Sequence, residues 1–264
     1  CISDVAYLSL SGPAGTLAKS GQGDDAKSML SLIAENIADR NSGFKNLVIT
    51  DSSGNIVYEY EDIQGMKESF FGFEELEGYS EGSTKISKIY MNNEDYETSV
   101  FYVAKSIDAD GLNNIDGFAI EIIDLSKISE ILSKTSYGEG KGYLSVTDGT
   151  GCVLNYEGNA VQKIDDITDS GIRDVMKSTV KPTSAENNID YNVGGKLGCY
   201  NYFTGASSLN WKWVSVYPAN IAMSQIAVPL AISLGTMVVL AVICALLGIL
   251  ITKSIVNPMN EMVK

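Results

Sequence analysis

The chain contains no histidine among its 264 residues. That absence removes Ser-His-Asp and Cys-His catalysis, histidine-ligated zinc or haem, and a phospho-accepting histidine within this stretch. Cysteine is scarce and wrongly spaced for metal or redox work, since Cys1, Cys152, Cys199 and Cys244 include no Cys-x-x-Cys pair. With no nucleophile motif and no cluster of metal ligands either, neither an enzyme activity nor a cofactor is expected. Basic residues are the minority charge, 19 against 33 acidic ones. Lys253, Glu261 and Lys264 are the charges beyond residue 220, which leaves 17 basic and 32 acidic side chains, net −15, before it. Phosphate binding needs clustered lysine and arginine, so this balance excludes nucleic acid as a partner and disfavours docking on anionic lipid.

What is present is a long apolar run. Residues 226–251 are uncharged and almost wholly apolar; at ~1.5 Å rise per residue they reach about 39 Å, enough to cross a ~30 Å hydrocarbon layer with some tilt. Lys253 follows as a positive-inside marker, placing the C-terminus in the cytoplasm and the acidic, tyrosine-rich part outside the cell membrane. A folded domain joined by one helix to a stub across a membrane is the layout of a receptor. Cys1 opens the chain without a basic leader. The expectation is a truncated chain with an earlier membrane helix upstream, ahead of the alternative of a lipid-modified N-terminal cysteine.

Before the run, one pattern occurs twice. Ile49-Thr50-Asp51-Ser52-Ser53-Gly54-Asn55-Ile56-Val57 recurs as Val146-Thr147-Asp148-Gly149-Thr150-Gly151-Cys152-Val153-Leu154. Each copy predicts a β-hairpin in which the Asp bonds backbone two residues on and the final Gly supplies a positive φ. Two such hairpins in register, each followed by a helical segment and three more strands, predict a duplicated module. In the first, strands fall near 44–50, 55–60, 84–91, 95–104 and 117–123, with a helical piece near 65–77. A short helix over 125–133 leads to the second, with its hairpin over 143–156, a helix near 169–178 and strands near 188–193, 197–204 and 211–217. Upstream, Ala26, Met29, Leu30, Ile33 and Ile37 recur at helical spacing, predicting a long entry helix interrupted at Gly12-Pro13. Asp108, Asp110, Asn113, Asn114 and Asp116 punctuate a loop in which Leu112 stands where a calcium ligand would be needed, so a solvated turn is expected.

This order resembles the double Cache sensor domain, two PAS-like modules stacked along one long helix. The likeness rests on the two Thr-Asp-x-x-Gly hairpins, on Gly117-Phe118-Ala119-Ile120 leading into Asp124-Leu125-Ser126-Lys127-Ile128, and on Asn210-Trp211-Lys212-Trp213-Val214 running into Tyr217-Pro218. It implies an α+β fold: a long N-terminal helix over 1–42, PAS-like antiparallel five-stranded modules over 43–134 (membrane-distal) and 135–218 (membrane-proximal), then one transmembrane helix over 219–252. Residues 253–264, with Ile255, Pro258, Met259 and Met262, resemble the start of a HAMP linker. The resemblance also implies that Cys152 and Cys199 sit on strands separated by two central ones, too far apart to bridge.

In that family ligands bind the distal module, between its sheet and the loop-helix segment over it. Members that bind free amino acids carry Arg-x-Trp-Tyr in that segment, then a Tyr and an Asp. This chain has Glu68-Ser69-Phe70-Phe71 there: aromatics are kept as Phe70 and Phe71, the Arg is absent, and Lys67 does not reproduce its bidentate fork. Glu121 or Ile122 falls at the Asp, depending on one residue of register. The candidate ligand contacts are therefore Lys67, Phe70, Phe71, Tyr90, Tyr102 and Glu121, with Tyr96 nearby. They suit a small amine or amino-acid-like compound through cation–π and carboxylate contacts. The plain account of any one of these tyrosines is a half-buried sheet residue with a wet hydroxyl. The function implied is the sensing half of a bacterial chemoreceptor, working as a homodimer with a cytoplasmic signalling module downstream. Alternatives are the same sensor on a histidine kinase or cyclic-dinucleotide synthase, and less so a membrane-tethered surface protein.

Overall fold

The computed structural model describes residues 2–61, 69–77, 79, 82, 84–91, 98–112, 114–137, 140–183, 188–203 and 211–251. Three helices open the chain, α1 (Ile2–Ser9), α2 (Gly12–Ser20) and α3 (Asp24–Arg40); the interruption expected at Gly12-Pro13 falls between the first two, and a second break follows at Gly21. Local chemistry makes the breaks. Ser11 caps α2 by accepting the Ala14 N–H, Pro13 sits in its first turn, and Gly21 ends it with its N–H on the Leu17 carbonyl.

The first antiparallel sheet comprises β1 (Phe44–Asp51), β2 (Ile56–Glu59), β3 (Thr84–Ile86), β4 (Val100–Ile107) and β5 (Gly117–Asp124), with the short α4 (Phe73–Leu76) before β3. Its strand order is β2-β1-β5-β4-β3. Side chains alternate along a strand, so the sheet has two different faces. On one, Leu47, Ile49 and Ala119 pack under Leu8, Leu17, Leu30 and Ile37 of the helices. On the other, Val48, Ile120 and Ile122 meet Phe70 and Tyr102.

Asp124 caps α5 (Leu125–Lys134) through the Ser126 N–H, and the chain enters a second sheet. Its strands are β6 (Ser136–Tyr137), β7 (Gly142–Thr147), β8 (Cys152–Tyr156), β9 (Asn159–Lys163), β10 (Ile189–Val193), β11 (Lys196–Tyr202) and β12 (Lys212–Pro218), with α6 (Ser170–Lys177) before β10. Seven strands stand where five were expected. The additions are the two-residue β6 and the mostly exposed β9, whose Asn-Ala-Val-Gln-Lys carries no apolar alternation. Without them the order β8-β7-β12-β11-β10 repeats that of the first sheet position for position. The hairpins keep register too: Thr50 faces Phe118 on β5, and Thr147 faces Lys212 on β12.

Turn chemistry distinguishes the copies. Asp51 Oδ1 accepts the Ser53 and Asn55 N–H groups at 2.8 and 2.9 Å. Asp148 Oδ1 accepts those of Thr150, Gly151 and Cys152 at 2.9, 2.9 and 3.1 Å. The positive φ falls on Gly54 (85°) in the first hairpin but on Gly149 (73°), not Gly151, in the second. Asp51 Oδ2 takes the Asn55 side chain, whereas Asp148 Oδ2 takes the Ile89 N–H at 2.9 Å, from the other module.

A shared core continues from there. Phe101, Ile123 and Leu125 pack with Val146, Leu154 and Trp211. The Trp211 ring lies 4.9 Å from that of Phe101, and its Nε1 donates to the Ser87 carbonyl at 3.1 Å. Cys152, Cys199 and Cys244 are free thiols, and β7 and β12 lie between the strands carrying the first two. The loop before β5 is a turn tied by its own acids, Asp108 accepting the Leu112 N–H and Asp116 that of Ala109.

Residues 1–217 form one compact unit and 218–264 a second. In the second, α7 (Ala219–Ile251) is a 33-residue helix. Its stretch Ala219–Leu247 contains an 18-residue window with a mean hydropathy of 2.7, none of which is buried in protein. Pro229 inside it leaves the Gln225 carbonyl without its helical donor. The stretch expected to open a HAMP linker lies outside the described residues.

Candidate ligand site

The face of the first sheet turned away from the helices carries an aromatic cluster under the segment 69–77, with Tyr79 beyond it. That segment is pinned to the first hairpin by a bridge between Ser69 and Asn55 and by the Phe70 N–H on the Gly54 carbonyl at 3.0 Å. Phe70 lies edge-on to Tyr102 at 5.0 Å and tilted against Phe71 at 4.8 Å. Phe71 meets Tyr90 edge-on at 4.9 Å, and Tyr90 stacks on Tyr102 at 6.0 Å. These offset and edge-on arrangements are the ones ring quadrupoles favour. Phe118 closes the far end against Phe73 and Tyr79.

Among the described residues, Glu75 is the acid bonded to this cluster. The Tyr102 hydroxyl bonds the Gly72 carbonyl at 3.1 Å and Glu75 Oε2 at 3.3 Å. Glu75 Oε1 pairs with Lys88 at 3.0 Å, and the Lys88 ammonium lies 5.2 Å from the Tyr90 ring centre. Burial raises both phenols well above the ordinary tyrosine value, and the Glu75 carboxylate adds to the rise. Tyr90 and Tyr102 are therefore neutral donors, the form that can orient a polar ligand beside a carboxylate.

Four of the residues singled out in the sequence, Phe70, Phe71, Tyr90 and Tyr102, come together here. Glu121 does not. In the register of β5 against β1 it stands opposite Leu47, on the helix-covered face, where its Oε1 accepts from Asn41 at 3.1 Å. Ile122 is the residue that faces the aromatics. One residue of register decides this, and periodicity leaves it open because β5 is apolar on both faces. Lys67 and Tyr96 lie outside the described residues. Glu75, missed in the sequence, sits in the expected helical piece beside two aromatics; its signal was an acidic pair, Glu74-Glu75, just after Phe70, Phe71 and Phe73.

The cluster is also wired to the second module. The Ser87 N–H donates to the Tyr102 carbonyl and the Tyr102 N–H to Ser87 Oγ, at 3.0 and 2.9 Å. Tyr90 exchanges two backbone bonds with Val100 at 2.8 and 2.9 Å. The same short segment, 87–90, holds Trp211 through Ser87 and Asp148 through Ile89.

No protein-family model and no curated protein sequence matches the chain. Solved structures do. The domain of a sensory box/GGDEF family protein from Vibrio parahaemolyticus aligns with TM-score 0.59 and 12% identity, over 83% of this chain and 87% of that one. The ligand-binding domain of the Pseudomonas fluorescens chemoreceptor CtaA, in complex with L-serine, aligns with TM-score 0.55 and 16% identity, over 83% and 88%. The extracellular domain of the histidine kinase vpHK1S-Z8 aligns with TM-score 0.58 and 12% identity, over 83% and 87%. The fold of this chain is that of the tandem-sheet, Cache-type sensor domains of bacterial chemoreceptors and sensor kinases.

Proposed function

We propose that the chain is the extracytoplasmic sensor and membrane-crossing part of a bacterial receptor, without enzymatic activity of its own. The observation that carries this reading is covalent continuity: Pro218 is the last residue of β12, and Ala219 is the first of an uncharged 33-residue helix. A sensor fold thus runs without a loop into a helix long enough to span hydrocarbon. Residues 43–134 are the membrane-distal module, 135–218 the proximal one, and 219–252 the membrane segment. Residues 253–264 open a HAMP linker on the cytoplasmic side, followed by a chemotaxis signalling module, and the receptor works as a homodimer. The acidic balance of the outer part and Lys253 support this orientation.

The ligand is a small amine or amino-acid-like compound held on the aromatic face of the first sheet. Ring faces and the Glu75 carboxylate attract a compact cation, and the similar CtaA domain holds L-serine. Entry of such a ligand repacks Tyr90 and Tyr102 and moves segment 87–90, and with it Trp211 just before β12 and Asp148 in the second hairpin. A ligand shifts the equilibrium only by its difference in affinity for the two packings. The likeness to kinase and GGDEF-protein domains favours one second reading, the same input half joined to a kinase or cyclic-dinucleotide synthase.

Melting of the full chain in lipid nanodiscs against amino acids, amines and carboxylates tests the reading. Amine-bearing compounds are expected to raise the melting temperature, and Glu75→Gln or Tyr102→Phe to abolish the shift. Hits untouched by both substitutions would move the site off this face.

A further inference from the structure

In the second module, the face equivalent to the candidate ligand site is already filled by a charge from the chain itself. Lys212 starts β12 on the side carrying Val214 and Val216, which packs under α6. It stands opposite Thr147 as Phe118 stands opposite Thr50 in the first module. Its residue is 0% exposed. Nζ donates to the carbonyls of Val175 and Ser178 at 2.7 and 2.6 Å, at the C-terminal end of α6, where the helix carries partial negative charge. The ammonium also lies 4.9 Å from the Tyr200 ring centre and 5.8 Å from that of Tyr202. Both tyrosines are tied to the same corner: the Tyr200 hydroxyl bonds Ser178 Oγ at 2.9 Å, and that of Tyr202 the Ser178 carbonyl at 2.8 Å.

A buried ammonium without compensation costs several kcal/mol. Burial pulls Lys212 down to about 8, so it is still a cation at neutral pH. Carbonyl oxygens and ring faces stand in for its lost water. That is the set of acceptors a protein offers to a free primary ammonium.

We propose that Lys212 is a built-in ligand: its ammonium fills an amine-accepting pocket of the second module and clamps α6 to the sheet. Cutting the side chain back leaves a site for a free primary alkylammonium. The second module is then a preloaded lever, closed to small molecules in the native chain. This holds whether or not the first module binds anything.

Trp211 and Trp213, the two tryptophans of the chain, flank Lys212, so intrinsic fluorescence reports unfolding at this spot. With the full chain in nanodiscs, Lys212→Ala is expected to lower the melting temperature. The n-propylammonium ion, which replaces the deleted atoms, raises it again saturably and by more than it moves the wild type. Neither 1-propanol nor tetramethylammonium does so, lacking the charge and the N–H groups respectively. Lys212→Met keeps the unbranched chain as far as the ε position but loses the ammonium, and amide exchange across α6 quickens by roughly tenfold, the equivalent of one charge-assisted hydrogen bond. Two results would overturn the proposal. One is a Lys212→Met chain melting at or above wild type with α6 protection unchanged, the outcome for a buried charge of no structural use. The other is a folded Lys212→Ala chain that ignores n-propylammonium. If Lys212→Ala fails to fold, the exchange experiment on Lys212→Met decides alone.

Discussion

The two modules share a strand order and a hairpin register and differ in what occupies one face. The first covers that face with rings from a loop segment, and its carboxylate, Glu75, comes from a four-residue helix. The second covers it with α6, tied down by a lysine from its own central strand. Rings on a loop can repack at modest cost, whereas a desolvated ammonium with two short carbonyl bonds has no second arrangement of similar energy. In the proposed sensor, a second module held in this way would pass on a displacement that a softer one would absorb.

The largest test of this contrast is Tyr102→Ala. It deletes a fully buried ring that touches Phe70 and Tyr90, and denaturant unfolding is expected to show a loss of about 3–5 kcal/mol. Tyr102→Phe removes the hydroxyl bonds alone, about 1 kcal/mol. A Tyr102→Ala loss below that figure would mean the first face is loosely packed rather than filled.

Next come the paired hairpin acids. Asp148 is buried, holds three turn N–H groups and reaches Ile89, while Asp51 serves its own hairpin. Asp148→Ala is expected to cost about 2–3 kcal/mol and Asp51→Ala about 1 kcal/mol. Equal losses would show that the bond between modules adds nothing.

Trp211→Phe should cost about 1 kcal/mol by orphaning the Ser87 carbonyl. Its sharper readout is hydrogen exchange: ligand-induced protection in the first module persists, and the change in the second module fades. Protection travelling unaltered to β12 would place the coupling elsewhere.

The smallest effect concerns Glu121. Burial raises its carboxyl above the ordinary 4.5, with the Asn41 amide working against the rise. A carboxyl raised in the folded state contributes stability below its unfolded pKa, which is lost as pH rises through the folded value. Glu121's own contribution to the melting temperature should therefore decline as pH rises above about 4.5, against the opposite trend of Asp4, Glu130 and Asp165, whose carboxyls are lowered. Glu121→Gln is expected to flatten that decline and to melt no lower at pH 7. An unchanged pH profile would remove Glu121 as its source.

Much of the fold was legible because it is written in local chemistry. The Thr-Asp-x-x-Gly copies, the Asp124 cap and the apolar runs over β4, β5 and α7 all act within a few residues of themselves. The first break of the entry helix was legible at Gly12-Pro13; the second was not, because it depends on Gly21 taking a positive φ and capping α2. β9 was missed because an exposed strand needs no apolar alternation; its order comes from pairing with β8. At the candidate site, the aromatics were legible as types, but the partner acid was not. Glu121 and Glu75 are equally acidic in a sequence, and one residue of β5 register put the first on the wrong face.

Sequence by itself determined the duplicated hairpin, the two-module order, the membrane-length helix and the exclusion of histidine chemistry, since each follows from residue type, spacing and apolar length. Only tertiary structure decided which side chains share a face, that Asp148 and Trp211 clasp segment 87–90, and that Lys212 is buried against α6. Those outcomes depend on strand register and on groups more than thirty residues apart, where no local rule reaches and packing alone selects the partner.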